Sequence, residues 1–315
     1  MRELKYLVRR NIKLFFHDKG MFLTALITPL ILLMLYSTFL GNVYKDSFES
    51  VLASFGVSVE KKVLGGLVGG QLFSSLLAVS TVTVAFCANM LMVQDKVSGA
   101  AKDLSITPVK PSVLSVAYYI ATTVTSLIIS LVATLACIIY LLSVGWYLSV
   151  ADIIFILIDV VLMVSFGTAF SSVINFFLST QGQISAVGTI ISSCYGFICG
   201  AYMPLSQLSE GLKKAVSFLP GTYGTSLFRK HAMRGAFREL EKCKVPEEVI
   251  DGLKESVDYD VIFLGEKVPI ANMYIYLTIT VALLLGIYIT LNIVRNKKKT
   301  RTLAGLRKTV ILKNA

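Results

Sequence analysis

The sequence has little of what intrinsic catalysis requires. It contains two histidines, His17 and His231, and no Gly-x-x-x-x-Gly-Lys-Ser/Thr segment, so it cannot bind a nucleotide through a phosphate loop. It also has no clustered Asp-x-x-Asp motif of the kind that holds a divalent ion in a membrane phosphotransferase. These absences argue against an active site, and we predict that the chain is not an enzyme and binds no metal.

Cysteine and charge are also scarce. Cys87, Cys137, Cys194 and Cys199 fall in apolar stretches, which argues against a disulfide framework, and Cys243 is expected to be an unpaired thiol. Charged residues make up 16% of the chain, whereas 55% of it is hydrophobic. This balance indicates an integral membrane protein.

Six apolar stretches are long enough to cross a bilayer core, which takes about twenty residues. They are Phe22–Leu40, Leu67–Val93, Leu114–Leu142, Ile153–Phe176, Ile184–Met203 and Ala271–Val294. The predicted fold class is therefore all-α integral membrane, with six transmembrane helices. We expect the first stretch to be retained, because no small-residue cleavage site follows it.

The distribution of charge predicts the orientation. Residues 1–20 carry six Lys or Arg against two acids, residues 295–315 carry eight against none, and segments 41–66 and 204–270 are neutral. Because Lys and Arg remain on the cytoplasmic side, both termini are predicted to be cytoplasmic and the two histidines to lie on opposite sides. The basic residues flank spans, so anionic lipid headgroups are the expected partner and nucleic acid is not.

This topology divides the chain into three predicted parts. Residues 1–20 form an amphipathic helix at the cytoplasmic interface, residues 21–294 form the transmembrane domain, and residues 295–315 form a basic cytoplasmic tail. The first helix could be a simple membrane anchor or a docking surface for a cytoplasmic partner.

The outer side is predicted to hold a polar loop over 41–66 and a small extracellular subdomain within 204–270. Helices are expected over Leu227–Leu240 and Pro246–Ser256 of that subdomain. At the start of the second span, glycines at two overlapping small-xxx-small spacings would allow close helix approach. They are Gly65, Gly66, Gly69 and Gly70.

The segment Gln94–Val113 begins with a charged exit from the second span and allows a short helix around Val97–Leu104. Thr107–Pro108 and Lys110–Pro111 would stop that helix before the third span. A short rigid helix in a cytoplasmic loop could receive a push from outside the membrane. The alternative is an ordinary inner loop.

The segment Ile184–Gly224 ends a span near Pro204 and then repeats leucine at helical spacing. The distance to Pro220 is too short for another crossing. One or two re-entrant or interfacial helices are therefore predicted on the outer side, sheltered by protein or lining a cavity.

Acidic and hydroxyl side chains within the predicted spans are candidates for a translocation path. Asp159 should lie well inside the fourth span, where an ionisable group suggests function, although burial against Ser or Thr of another helix is an equal alternative. Asp152, two turns away, is expected at the outer interface in a solvated start-of-helix role. The path candidates are Asp159, Ser75, Thr81, Thr125 and Tyr195, and most such hydroxyls bond only their own helix.

Two groups of residues together resemble the ABC-2 family of ATP-binding-cassette exporter permeases. After the second span the family pattern is matched by Asp95–Lys96, Gly99, Leu104 and Thr107–Pro108. After the fifth span it is matched by Gly200, Pro204, Leu205–Leu219, Pro220 and Tyr223. The resemblance covers nearly the whole chain in order.

The resemblance implies a bacterial cell-membrane permease that pairs with a second permease, identical or homologous, and docks two ATPase subunits. ATP and Mg would bind those subunits, and no cofactor would bind this chain. The coupling helix would comprise Val97, Ser98, Gly99, Ala100, Ala101, Lys102, Asp103 and Leu104. The outer gate would comprise Gly200, Pro204, Leu208, Pro220 and Tyr223. The first helix would be a connecting helix beside the ATPase.

The predicted function is thus the transmembrane subunit of an ATP-driven exporter for a hydrophobic or amphipathic substrate, such as a drug, a peptide or a lipid-like molecule. Asp159 motivates a cation exporter as an alternative. A non-transporting membrane sensor or assembly scaffold is the alternative from another class.

Overall fold

The computed structural model describes the backbone of residues 2–263 and 265–314, without the side chains at positions 105, 206 and 296–314. Within these residues the chain forms twelve α-helices and one two-stranded hairpin. The helices are α1 (Arg2–His17), α2 (Lys19–Leu35), α3 (Gly41–Ser54), α4 (Lys61–Val97), α5 (Ala100–Ile106), α6 (Pro111–Val144), α7 (Val150–Phe177), α8 (Gln181–Ile198), α9 (Glu210–Ser217), α10 (Pro220–Lys242), α11 (Glu247–Ser256) and α12 (Ile270–Asn314). The hairpin pairs β1 (Ile262–Phe263) antiparallel with β2 (Glu266–Lys267). The predicted all-α membrane class is confirmed.

Five helical segments among the described residues are long and apolar enough to cross a membrane. They are Lys19–Ser54, Lys61–Val97, Pro111–Val144, Val150–Phe177 and Ile270–Arg295. Helices suit a bilayer because each satisfies its own backbone hydrogen bonds. The predicted crossing Ile184–Met203 corresponds to α8, which has 18 residues and is not among the five. The six-span count therefore stays a prediction.

The segment after the first apolar stretch is helical, which corrects the predicted outer loop over 41–66. A π-helical turn, Tyr36–Leu40, joins α2 directly to α3. Tyr44, Phe48 and Leu52 recur every four residues and are buried in the main hydrophobic core. This apolar face, packed against α4 and α11, is what continues the helix beyond Leu40.

The first helix, α1, is confirmed as amphipathic. Leu7, Asn11 and Phe15 recur every four residues on its buried face, and the helix packs along α6. It ends at His17. The next residue, Asp18, accepts a hydrogen bond from the Met21 amide, 3.1 Å away, and so caps the start of α2.

Helix α4 is the central helix of the protein. It packs against α2, α6, α7, α8 and α10, and 94% of its most apolar stretch is buried. A Cβ added to Gly65 would lie 2.6 Å from the Val144 carbonyl oxygen, and one added to Gly70 would lie 2.8 Å from that of Ala232. The predicted close approach at these glycines is confirmed, and α6 and α10 are the helices that approach.

Helix α10 corrects the prediction of an extracellular helix over Leu227–Leu240. It begins earlier, at Pro220, and is buried along most of its length. It runs antiparallel to α7, because Gly224 lies against Met163 and Arg238 lies beside Asp152. Its start is therefore level with the middle of α7, which is the placement that a re-entrant segment requires. Helix α11 and the hairpin follow α10 in the chain, and α11 packs on α3.

Candidate functional site

Three polar clusters carry the features that bear on function: one at the C-terminal end of α4, one between α7 and α10, and one at the start of α10. The first holds the predicted coupling segment. The second holds Asp159 of the predicted path. The third holds the predicted outer gate.

At the C-terminal end of α4, Asp95 is buried and receives hydrogen bonds from two other helices. The Arg10 guanidinium of α1 donates to its two carboxylate oxygens at 2.6 and 3.1 Å. The Tyr118 hydroxyl of α6 donates to the same carboxylate. The hydrogen bond to Asp95 raises the pKa of Arg10 despite the opposing effect of burial. Two-pronged pairing of this kind fixes orientation as well as distance, so α1, α4 and α6 are joined at one point.

The next residue, Lys96, joins α4 to the end of α7. Its ammonium group donates to the carbonyl oxygens of Asn175, Phe176 and Leu178 at 2.7, 3.0 and 3.0 Å. These are carbonyls of the last turn of α7, which carry the partial negative charge of that helix end. The charged exit predicted at Asp95–Lys96 therefore fastens α4 to three neighbouring helices.

In the coupling segment a helix was predicted over Val97–Leu104. The observed helix begins three residues later and ends two residues later. Helix α4 continues to Val97, Gly99 adopts a left-handed conformation with φ of 89°, and α5 then runs from Ala100 to Ile106. Glycine adopts this conformation without the steric penalty that a side chain brings. The Thr107 hydroxyl donates to the Leu104 carbonyl and closes the last turn of α5.

The coupling segment has an inner and an outer face. Ala101 and Leu104 line a cleft beside Tyr288 and Arg295. Val97, Ser98 and Asp103 are exposed, as is Ile106, which sequence reasoning missed and which is 85% exposed. The signal available in the sequence was the isoleucine directly before Thr107–Pro108.

Between α7 and α10, Asp159 has two partners that the sequence reasoning did not name. Its carboxylate lies 2.6 Å from His231 Nδ1 and accepts a hydrogen bond from the Tyr274 hydroxyl at 2.6 Å. The Phe155 ring stacks on the imidazole, with centroids 5.1 Å apart. His231, expected in a polar outer subdomain, is instead buried against the fourth span. Both oxygens of Asp159 are bonded to side chains, which suits a structural tie between α7, α10 and α12.

Asp152 is buried, which corrects the expectation of a solvated residue. Its start-of-helix role is confirmed, because Asp152 and Ser149 form reciprocal capping hydrogen bonds. Its carboxylate also pairs with Arg238 and, at 3.8 Å, with Arg234. These arginines lie one turn apart on α10. They neutralise the buried Asp152 carboxylate, which was expected to be solvated by water instead.

The remaining path candidates do not meet around one channel within the protomer. Thr81 and Thr125 donate to carbonyls of their own helices at 2.7 and 2.8 Å, and Ser75 is buried inside the packed core. Tyr195 lies apart from them, on an apolar cavity between α7, α8, α10 and α12. Their role in a path stays a prediction.

Among the predicted gate residues, Gly200 and Pro220 lie near each other, because a Cβ on the adjacent Gly221 would lie 3.1 Å from the Cys199 Cβ. Gly200 is left-handed, with φ of 70°, and its carbonyl accepts a hydrogen bond from Arg229 at 2.9 Å. Pro204 is buried and Leu208 is half-buried. Pro220 opens α10, and the Tyr223 hydroxyl donates to the Ser217 carbonyl at 2.8 Å. Arg229, which also donates to the Asp258 carbonyl, is a residue of this region that the sequence reasoning missed.

No group of three or more His, Cys, Asp or Glu side chains within the described residues is arranged to hold a metal ion. A family model described as ABC-2 type transporter matches residues 2–232, which includes the coupling segment, Asp159 with His231, and the predicted gate residues. Arg234, Arg238, Asp258 and Tyr274, which contact residues of the three clusters, lie beyond the matched range. None of the curated proteins compared with the chain matches it.

Proposed function

Because this chain belongs to the ABC-2 type transporter family, and is thus a permease component of an ABC transporter, we propose that it serves an exporter. In this proposal the substrate is hydrophobic or amphipathic and moves outward. A separate ATPase subunit binds ATP and Mg and performs the hydrolysis. The observation that carries the proposal is the continuity of α4, which links the exposed coupling segment to the buried centre of the protomer.

Helix α4 can transmit a displacement because its cytoplasmic end is fastened and its body is enclosed. Arg10, Tyr118 and Lys96 join that end to α1, α6 and α7. Packed interiors deform little and instead switch between discrete arrangements. A push on α5 would therefore move several helices together, and ATP binding would favour one of two states of the assembly.

The exposed face of the coupling segment is the proposed docking surface for the ATPase. Val97 and Ile106 are apolar and solvent-facing, and Asp103 adds a charge between them. Helix α1 packs beside the same cytoplasmic region, with Tyr6 69% exposed. An apolar centre with a polar edge is typical of a protein interface.

A second permease is proposed to cover one face of α8. Ser185, Thr189, Ser192 and Ser193 lie on that face and are exposed. In a bilayer, small and hydroxyl-bearing residues favour helix–helix contact over lipid contact. The opposite side of α8 carries Ile198. Pairing through the polar face would place two copies of the α8–α10 region side by side.

The test compares two exposed aliphatic residues at opposite ends of the protein. Ile106→Asp should abolish copurification of an ATPase from native membranes and the ATPase stimulation that the permease causes. Val150→Asp, which changes a residue 75% exposed at the outer start of α7, should leave both intact. Undiminished ATPase recovery with Ile106→Asp would refute the docking surface. Recovery of the wild-type chain with a signalling protein and no ATPase would favour a sensor.

A further inference from the structure

A pocket at the predicted outer end of α12 is lined by three separate segments of the chain. Its volume is about 370 Å³, which falls within the range of about 300–1,000 Å³ typical of small-molecule sites. The junction of α9 and α10, the hairpin and the first turns of α12 all contribute to it. The lining residues that matter here are Phe218, Tyr223, Phe263, Glu266, Lys267 and Tyr276.

Four aromatic rings line this pocket. The rings of Phe218 and Phe263 have centroids 5.1 Å apart and meet at 83°, and those of Tyr223 and Tyr276 have centroids 4.8 Å apart and meet at 53°. Rings that meet at steep angles form the corner of a box rather than a flat stack. The face of an aromatic ring carries partial negative charge and attracts a cation within about 6 Å of its centroid. Aromatic cages of this kind bind quaternary ammonium groups.

The two tyrosines contribute their rings to the pocket while their hydroxyl donors are used within the protein. The Tyr223 hydroxyl donates to the Ser217 carbonyl at 2.8 Å, and the Tyr276 hydroxyl donates to the Phe218 carbonyl at 2.6 Å. A ligand rich in hydroxyl groups, such as a sugar, would therefore lose more hydrogen bonds to water than this lining could replace. An alkylated ammonium ion has few or no such bonds to lose.

The hairpin adds an unpaired carboxylate. Lys267 Nζ lies 3.1 Å from an Asp260 oxygen, so this ammonium group is engaged by a carboxylate outside the lining. Glu266 is exposed, and its carboxylate forms no ion pair with any residue that the structure describes. An engaged ammonium beside an unpaired carboxylate favours a cation over an anion.

The pocket can be reached without displacing any part of the protein. Phe218 and Tyr276 are 58% and 38% exposed, respectively, and Glu266 is exposed beside them. Aromatic residues are also common where a helix meets the membrane surface. Such a belt requires neither rings set at steep angles nor an unpaired carboxylate, so it does not account for this arrangement.

We propose that this pocket binds an alkylated ammonium ion, with its alkyl groups against Phe218 and Phe263 and its charge near the Glu266 carboxylate. Two sources share this chemistry, namely a free organic cation and the headgroup of a choline lipid. The proposal adds a ligand site on the predicted outer side of the protein. Binding there does not depend on the exporter function proposed above.

The experiment compares choline with 3,3-dimethylbutan-1-ol, an uncharged molecule of the same shape. Saturation-transfer NMR measures the binding of both to the full chain in dodecyl maltoside, a detergent without an ammonium group. Choline should give a saturable signal and bind about fivefold more tightly than the alcohol, because only the charged molecule gains from the ring faces and from Glu266. Equal binding of the two molecules, or no saturable choline signal, would overturn the proposal.

A matched pair of variants tests the location of the site. Phe218→Leu removes one ring of the pocket and should weaken choline binding by about two- to fivefold. Phe55→Leu makes the same change at a phenylalanine that is 48% exposed and outside the lining, and should leave binding unchanged. Thermal unfolding establishes that both variants are folded. Equal choline affinity of the two variants would show that the assigned pocket is not the site.

Charge variants of the hairpin test the sign of the ligand. Glu266→Gln should weaken choline binding by about twofold. Lys267→Gln removes a positive charge from the lining and should strengthen choline binding slightly or leave it unchanged. The opposite pattern would show that the pocket prefers anions, and an unaltered affinity in Glu266→Gln would refute the assigned position of the charge.

Nanodiscs of two compositions distinguish the sources of the ammonium ion. Choline that binds in phosphatidylglycerol nanodiscs but not in phosphatidylcholine nanodiscs would identify the lipid headgroup as the occupant. Choline that binds in both would identify a free cation, and either result supports the proposal. Empty nanodiscs of each lipid provide the background signal. None of these measurements needs an ATPase, so this site and the docking surface of the coupling segment can be refuted separately.

Discussion

The most apolar stretches of α4 and α12 have nearly the same mean hydropathy, yet α4 is buried inside the protein and α12 lies at its surface. In their most apolar stretches, 94% of α4 is buried and 11% of α12 is buried. Helix α4 carries glycines, serines and threonines among its apolar residues, whereas the crossing part of α12 is rich in leucine, isoleucine and tyrosine. Hydropathy thus identifies a crossing helix, and small residues indicate which one is central. In this protein the central helix is also the one that leads to the coupling segment.

The largest expected loss of stability comes from replacing a glycine of α4, and the same replacement in α12 is the control. Gly70→Leu places a side chain against the Ala232 carbonyl, a main-chain atom that cannot move aside, and should destabilise the protein by about 3 kcal/mol. Gly286→Leu in α12 has no neighbouring atom within 4 Å and should have no effect. Thermal unfolding of the purified variants measures both. Equal stability of the two variants would contradict the central placement of α4.

The next effect concerns the end of α4 that we assign to coupling. Gly99→Val should disfavour the left-handed backbone conformation that joins α4 to α5, because a side chain there costs about 1–2 kcal/mol. That cost changes the equilibrium between this and other backbone conformations by about 5- to 30-fold. Transport per ATP hydrolysed should fall while membrane insertion is retained. Gly265→Val is the matched control, since its φ of 90° equals the 89° of Gly99 and neither glycine has an atom near its Cβ position. Equal transport by both variants would refute the assignment.

A smaller effect should appear where α12 is tied to the protein interior. Tyr274→Phe removes a hydroxyl that donates to the buried Asp159 carboxylate and should lower the free energy of unfolding by about 1–2 kcal/mol. Tyr276→Phe removes an equivalent bond to the Phe218 carbonyl at an exposed residue and should cost less than about 0.5 kcal/mol. Chemical denaturation compares them. A larger loss of stability for Tyr276→Phe than for Tyr274→Phe would mean that contacts on the exposed side of α12 stabilise the protein more than those on its buried side.

The smallest effect should be confined to the outer segment before α12. Burial raises the pKa of Asp260, but hydrogen bonds and charge from Lys230 and Lys267 outweigh it and lower that pKa below 3.8. A carboxyl with a lowered folded-state pKa stabilises the fold above its unfolded value, and this stability is lost as the pH falls through the folded value. Asp260→Asn should therefore cost up to about 1 kcal/mol at pH 7.

That difference between wild type and Asp260→Asn should shrink as the pH falls below 3.8. Unfolding followed across pH 3 to 7 measures it. A difference that grows on acidification would mean that Asp260 is not stabilised by its lysine partners.

Short sequence patterns predicted several features correctly. The glycine spacing at Gly65 and Gly70 predicted close packing, and Thr107–Pro108 predicted the end of the coupling helix to within two residues. The charged pair Asp95–Lys96 marked the C-terminal end of α4. The signal in each case lies at the residues concerned, although the helices that contact Gly65 and Gly70 are distant in the sequence.

Helix α10 was misplaced because its charges are neutralised by distant residues. Lys230, His231 and Arg234 indicate a solvated helix when taken alone. The partner of His231, Asp159, is 72 residues away in the sequence, and the arginine partners of Asp152 are comparably remote. A sequence pattern shows that charges exist, but their pairing across two antiparallel helices is a property of the fold.

The central claim is that the exposed face of α5 docks an ATPase, and photo-crosslinking in native membranes tests it most directly. In a chain whose exposed Cys194 and Cys243 are replaced by serine, Ile106→Cys labelled with a benzophenone maleimide should give one adduct whose added mass and peptides identify an ABC ATPase. Val150→Cys, labelled in the same way at the outer end, should give none. If position 106 crosslinks only to lipid or to a second copy of this chain while wild-type transport is intact, the coupling assignment is wrong.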